Sequence, residues 1–218
     1  MSDLSITQAY LICAVNNKGR ISGFDTNRQV CMTASGLLEL ELSGCISMDE
    51  KTVSAAGELP ADMGYLKMLY EDIREKGTVK LEKLIGDYNF AMTDKKFRAL
   101  VDGIGESLIA MGLAMPAKPA ALRNDKGYLP CEDVVRGVID KIRAELLEDG
   151  ALTEDTAALV ILMHKANMVR EYFSKYEQKA IKDKLTELAK SPMGLQVKRL
   201  VDYVDSMIAV IAVLCMAH

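Results

Sequence analysis

Apolar positions recur at helical spacing along most of the chain. Ser5 followed by Gln8 forms a capping box, and ITQAYLICAV continues the spacing until Asn-Asn-Lys-Gly at 16–19 stops it. A second helix is predicted from Asp25 or Thr26 through MTASGLLELEL. Leu37, Leu38 and Leu42 share one of its faces, and Gly44 suits the left-handed residue that ends it. CISM and TVSAA then alternate around Asp49-Glu50-Lys51, which reads as a short hairpin. Pro60 opens a helix through LKMLYEDIREK that Gly77 closes, and Thr78 caps a short one, VKLEKLI. Thr93 caps a long helix, DKKFRALVDGIGESLIAM, closed by Gly112. Residues 113–130 hold three prolines and an Asn-Asp-Lys-Gly turn, so they read as an irregular hairpin or loop. Helices follow at about 131–148, 154–173, 175–190 and 193–217.

One phrase recurs: a helix, then small and apolar residues around a single glycine, then an extended piece. It occurs as LELSGCI, IAMGLA and LLEDGAL. The last helix contains MIAVIAVLCMA, the most apolar run of the chain. A helix apolar on every side reads as a buried one, with a membrane-inserted tail as the alternative, and eleven residues fall short of the ~20 that span a bilayer in a helix. The pattern predicts a mainly α fold: one compact domain over residues 1–218, amphipathic helices and small β-hairpins, and no linker long enough to divide it.

Composition narrows this picture. The chain is 50% hydrophobic and 27% charged, with 13 Met and no Trp, so an aliphatic, thioether-filled core is expected. Five cysteines are scattered without a CxxC, as in reduced cytoplasmic proteins. MSDLSITQAY lacks the basic and apolar regions of a secretory leader. The net charge of −4 disfavours a generic nucleic-acid binder. The charge is nonetheless uneven: residues 132–155 carry eight acids and three bases, whereas 165–199 carry nine bases and four acids.

Catalytic and metal signatures are missing. There is no Walker loop, GxGxxG, HExxH or GxSxG, and GIGES at 103–107 lies inside a helical pattern. With only His164 and His218, neither a zinc site nor a histidine-based triad is expected; His164 reads as a core or boundary residue. Lys175, Lys179 and Lys182 read as a solvated helix face, and Asp202 with Asp205 as a helix start. No cofactor is expected.

Two stretches carry candidate binding chemistry. TDKKFR at 93–98 puts Lys95, Lys96 and Arg98 in the first turns of a helix, where bases are poor dipole partners. They need another reason to be there, either a bound anion or a nearby carboxylate. GRISGFDTNR at 19–28 holds Phe24 between Arg20 and Arg28 in a loop. Phe24 either folds back as a plug or points outward onto something.

The chain resembles the Golgi phosphoprotein 3 family, in a short form like those of bacteria. LSITQAYLICAVNNKGRI resembles the family's opening helix and glycine, and ASGLLELELSGCISMDEKTV its helix-into-hairpin signature. ESLIAMGLA is similar to its L-V-x-x-G-(V/I)-L, and TEDTAALVILMHKANMVREYF to its late helix. The resemblance implies a mainly α fold with the hydrophobic C-terminal helix at its centre. It also implies a non-enzymatic peripheral membrane adaptor that binds phosphatidylinositol 4-phosphate and the cytoplasmic tails of membrane proteins. Phe24 falls where the family inserts a tryptophan into the membrane, with Arg20 and Arg28 beside it. Arg98 matches one arginine of the family's R-x-x-R, whose partner position is Val101. The arginine of the second helix is replaced near Thr33, and LPADMGYL stands where the family has P-T-G-D.

The resulting expectation is a cytoplasmic, peripheral adaptor whose lipid site comprises Phe24, Arg98, Arg20, Arg28, Lys95 and Lys96. Its preference is weakened toward generic anionic headgroups, and no nucleic acid is expected among its partners. A winged-helix-like nucleic-acid-binding regulator, and a protein-only scaffold whose loop 113–130 pairs with another copy, as in a homo-oligomer, or with a partner, stand as alternatives.

Overall fold

The computed structural model describes residues 4–49, 51–118, 126–148 and 152–188, together with positions 202, 205, 206 and 209. It begins with the capping box. Ser5 Oγ accepts from the Gln8 amide at 3.3 Å, and the Ser5 amide donates to Gln8 Oε1 at 3.2 Å. The helix they start, α1 (Ile6–Ala14), is buried along its whole length. Such a helix must be walled in on all sides. The walls are α2 (Thr26–Leu42), α5 (Lys95–Ala110), α6 (Glu132–Leu146) and α7 (Glu154–Lys165).

The Thr7 hydroxyl is buried without a partner among the described residues, but other polar groups carried into this core are paired. The Thr7 amide donates to Glu39 Oε2 at 2.8 Å, Tyr65 donates to the other oxygen of that carboxylate, and Gln8 Nε2 reaches Ser107 Oγ at 3.0 Å. Glu39 thus places a carboxylate at the N-terminus of α1, where the dipole favours it. Helices α2 and α7 are buried from Val30 to Leu40 and from Thr156 to Met163, so α1, α2 and α7 form the centre of the described chain. The resemblance assigns that centre to the C-terminal helix. Of the run at 207–217 only Ala209 is described, helical and exposed; the rest lies outside the described residues.

The hairpin at 45–56 forms as predicted: β1 (Ile46–Met48) pairs antiparallel with β2 (Thr52–Ala55), with Met48 opposite Val53. It gains a third strand. Val79–Lys80 (β3) pairs with β2 through Val53 and Val79, so the helix predicted from Thr78 starts only at Leu81. Buried, β-branched Val79 prefers the strand. After Pro60, a 3-10 turn (Ala61–Leu66) precedes α3 (Lys67–Lys76), and α4 runs Leu81–Asn89. Thr93 does not cap α5; Asp94 precedes it without a side-chain cap bond.

Gly44 and Gly112 do what the repeated phrase predicts. Their φ values of +74° and +72° are left-handed. The next amide in each case reaches back five residues, Cys45 to Leu40 and Leu113 to Leu108, both at 2.9 Å. The third copy, at Gly150, lies outside the described residues.

Past Gly112, β4 (Ala114–Pro116) and β5 (Tyr128–Pro130) form the irregular hairpin. The single helix predicted over 154–173 is broken. Asn167 turns left-handed at φ +56°, and the Met168 amide closes back onto the Met163 carbonyl at 2.8 Å before α8 (Val169–Tyr172). Helix α9 covers Lys175–Leu188. The whole is mainly helical with small antiparallel sheets. Cys13, Cys31 and Cys45 are buried and free. Burial pushes the Cys13 and Cys31 thiols up to about 12, so both stay protonated and pack as small hydrophobes.

Candidate functional site

The connection from α1 to α2 is tied at several points. The Asn16 amide donates to the Arg20 carbonyl at 2.9 Å, and the Tyr128 amide of β5 donates to the Gly19 carbonyl at 2.8 Å. Gln29 Nε2 holds the Ser22 carbonyl at 2.9 Å, the Phe24 amide donates to Ser22 Oγ at 3.3 Å, and Asp25 caps α2 through the Arg28 amide. On this anchored turn Phe24 stands 101% exposed. It is no plug; its ring points into solvent.

Arg28 turns the other way. Its Nη1 donates to the Ala14 carbonyl at 3.1 Å, its Nη2 pairs with Glu171 at 2.5 Å, and its Nε lies 3.1 Å from the Asp25 carboxylate. Tyr10 donates to its carbonyl at 3.0 Å. Arg28 staples the end of α1, the first turn of α2 and α8 together.

Beside the Phe24 turn lies a cavity of about 150 Å³. Gly19, Arg20, Ile21 and Gly23 line it from the loop, Tyr88, Asn89 and Ala91 from the end of α4 and beyond it. Asp94, Phe97, Arg98, Val101 and Asp102 line it from α5 and its N-cap, and Lys126 from the β4–β5 connection. Arg20, Arg98 and Lys126 bring positive charge to it, and three carboxylates, Asp94, Asp102 and Glu106, stand in or beside it. Arg98 Nη2 lies 2.6 Å from Asp94, and Lys126 Nζ lies 2.5 Å from Glu106, whose hydrogen bond and charge raise the Lys126 pKa. Asp102 is held by the Tyr128 hydroxyl at 2.7 Å. Arg20 reaches the Lys18 carbonyl at 3.0 Å. Asp94 stands at the N-cap of α5, where its carboxylate offsets the positive end of the helix dipole.

The cavity therefore gathers Arg20 and Arg98 with Phe24 next door. Lys95 is exposed and does not line it. Lys96 belongs to another arrangement, a ring of alternating charge. Its Nζ lies 2.8 Å from Asp72 and 3.8 Å from Asp87, and Lys76 lies 3.0 Å and 2.7 Å from the same two carboxylates. Of the two reasons for bases in the first turns of α5, the nearby carboxylate accounts for Lys96. Val101 sits on the cavity wall, and Thr33 is buried behind it, bonded to Asn89 at 3.2 Å. Lys126 supplies a base from elsewhere in the chain. Only the fold brings it here, and no local pattern marks it.

The other marked residues are accounted for without a ligand. Lys175, Lys179 and Lys182 are exposed, and Asp205 pairs with Lys165. His164 is exposed at the end of α7, its pKa lowered by partial desolvation and then by Lys165 and Lys182. Among the described residues no group of three or more metal-ligating side chains comes together, and no helix is long and apolar enough to cross a membrane. A larger cavity of about 250 Å³ between α1, α6 and α7 is mostly aliphatic and carries Asp133, Asp155 and Lys141, one base against two acids. The smaller cavity is the one that brings Arg20, Arg98 and Lys126 together, and it is the better candidate for a phosphate.

The sequence profile of Golgi phosphoprotein 3 (GPP34) matches residues 6–204. A comparison with curated proteins returns no match. The profile covers nearly the whole chain, including every element that lines the basic cavity: the chain belongs to the Golgi phosphoprotein 3 family.

Proposed function

We propose that the protein is a non-catalytic adaptor that attaches peripherally to anionic membrane surfaces, on the cytoplasmic side, through the turn carrying Phe24. The observation that carries this reading is the complete exposure of Phe24 next to a cavity lined by Arg20, Arg98 and Lys126. Single exposed aromatics are common on protein surfaces; what supports a wedge here is the place of Phe24, on an anchored turn beside that cavity.

The magnitudes suit reversible attachment. Burying the Phe24 ring is worth roughly 1.5–3 kcal/mol. Each base near an anionic surface adds about 1 kcal/mol. Asp94, Asp102 and Glu106 offset part of that. The cavity accepts a phosphate-bearing headgroup with weaker discrimination than two arginines on α5 would give, because Val101 offers no charge-assisted bond. The bound partners are anionic phospholipids, phosphatidylinositol 4-phosphate among them, and the cytoplasmic tails of membrane proteins. A nucleic-acid reading loses its support from α2, whose Arg28 is turned inward.

Arg98→Glu tests the headgroup cavity. On vesicles containing phosphatidylinositol 4-phosphate it abolishes whatever preference the protein shows over phosphatidylserine vesicles of matched charge. An undiminished preference would place the phosphate elsewhere.

A further inference from the structure

Met92 is 105% exposed in the connection between α4 and α5. Among the described residues, it and Phe24 are the two large apolar side chains left wholly in water; Tyr176 follows at 83%. Met92 is flanked by Ala91, which lines the basic cavity, just as Phe24 is flanked by Gly23, which lines it too. The cavity thus lies between the two loops. The ends of the Met92 loop are fixed. The Phe90 amide closes α4 onto Gly86 at 2.9 Å, and the Arg98 amide closes α5 onto Asp94 at 2.9 Å. Phe97 is buried, whereas Met92 is packed against nothing.

We infer that Met92 is a second membrane wedge, so that the protein docks on an anionic bilayer through two apolar tips with the basic cavity facing the headgroups between them. This rests on the proposed membrane attachment and adds its orientation. A bilayer suits the surface better than a protein partner does. Protein interfaces have a contiguous apolar core. Here two separate tips flank a charged cavity, with Lys18 and Lys95 exposed beside them. Asp25 follows Phe24 and Asp94 lies two residues from Met92, but Asp25 is paired with Arg28 and Asp94 with Arg98. Isolated apolar tips with Arg20, Lys18 and Lys95 nearby suit an interface of acyl chains and anionic headgroups. Two insertion points with a headgroup between them also define a plane, whereas one wedge would leave the molecule free to pivot.

The chain has no tryptophan, so Phe24→Trp and Met92→Trp each install a single emitter. Their emission is followed on phosphatidylcholine vesicles with and without phosphatidylserine, using lipids brominated in the acyl chains as quenchers. The expected result is a blue shift and bromine quenching for both variants on anionic vesicles only, reversed by salt. A shift at position 24, with position 92 still open to aqueous acrylamide, overturns the second wedge and leaves the first. No shift at either position removes the membrane reading itself. Separately, Met92→Asp is expected to weaken vesicle binding roughly tenfold, about 1.4 kcal/mol, with an unchanged melting temperature. Unaltered binding would contradict the inference.

Discussion

Phe24 and Arg28 stand four residues apart and face opposite ways. Phe24 touches no core, so Phe24→Ala is expected to change stability by less than about 0.5 kcal/mol. Thermal melts that show a larger loss would mean the ring packs in solution. Arg28→Ala is different. It strips the Ala14 carbonyl of its donor and leaves Asp25 and Glu171 facing each other without their base. Because Glu171 is partly solvated, a cost of about 2 kcal/mol is reasonable. Chemical denaturation of the variant measures it, and a neutral result would show that the staple holds nothing. At this scale the sequence marks the loop well. It places Phe24 and two arginines together, but it cannot say which arginine turns inward. That depends on Glu171, 143 residues away along the chain.

At the scale of elements, GIGES is explained by packing. The ring of Tyr128 lies so close to Gly105 that a Cβ there would meet it at 2.3 Å. Gly105→Ala should therefore cost about 2 kcal/mol, roughly 4–8 °C in melting temperature. Gly64→Ala, with nothing within 4 Å of its would-be Cβ, serves as the neutral control. Equal melting temperatures would refute the close approach.

The start of α9 carries a capping box that SKYE at 174–177 announces. The Ser174 amide donates to Glu177 Oε2 at 2.7 Å, and the Glu177 amide to Ser174 Oγ at 3.3 Å. Arg143, bonded to Glu177 at 2.8 Å, and then the Ser174 amide depress the Glu177 pKa from 4.5 to about 2. A depressed acid stabilises the fold fully above its ordinary pKa and loses that contribution as pH falls toward its folded one. Wild type should therefore outlast Glu177→Gln above pH 4.5, and the two melting curves should converge as the pH approaches about 2. A difference independent of pH would contradict this.

Element boundaries were legible where a side chain or glycine dictates them, as at Ser5, Gly44 and Gly112. They were not where tertiary pairing decides, as for Val79 in the sheet or Asn167 between α7 and α8.

For the whole molecule, periodicity and the ordered series of family-like stretches made the mainly α architecture readable. The basic cavity was half readable. Arg20 and Arg98 stand out in the sequence. Lys126, Asn89 and Tyr88 reach the cavity from distant parts of the chain, and pairing with Asp72 draws Lys96 away. The 1–218 extent as one domain is a proposal beyond the described residues.

The central claim is that this face meets an anionic membrane, and cosedimentation with vesicles tests it most directly. Wild type and Phe24→Ala are compared on neutral and phosphatidylserine-containing vesicles at low and high salt. The account predicts pelleting of wild type with anionic vesicles at low salt, its loss at high salt, and its loss in Phe24→Ala. Wild type that stays in the supernatant with anionic vesicles at low salt, or Phe24→Ala that pellets as wild type does, would contradict it.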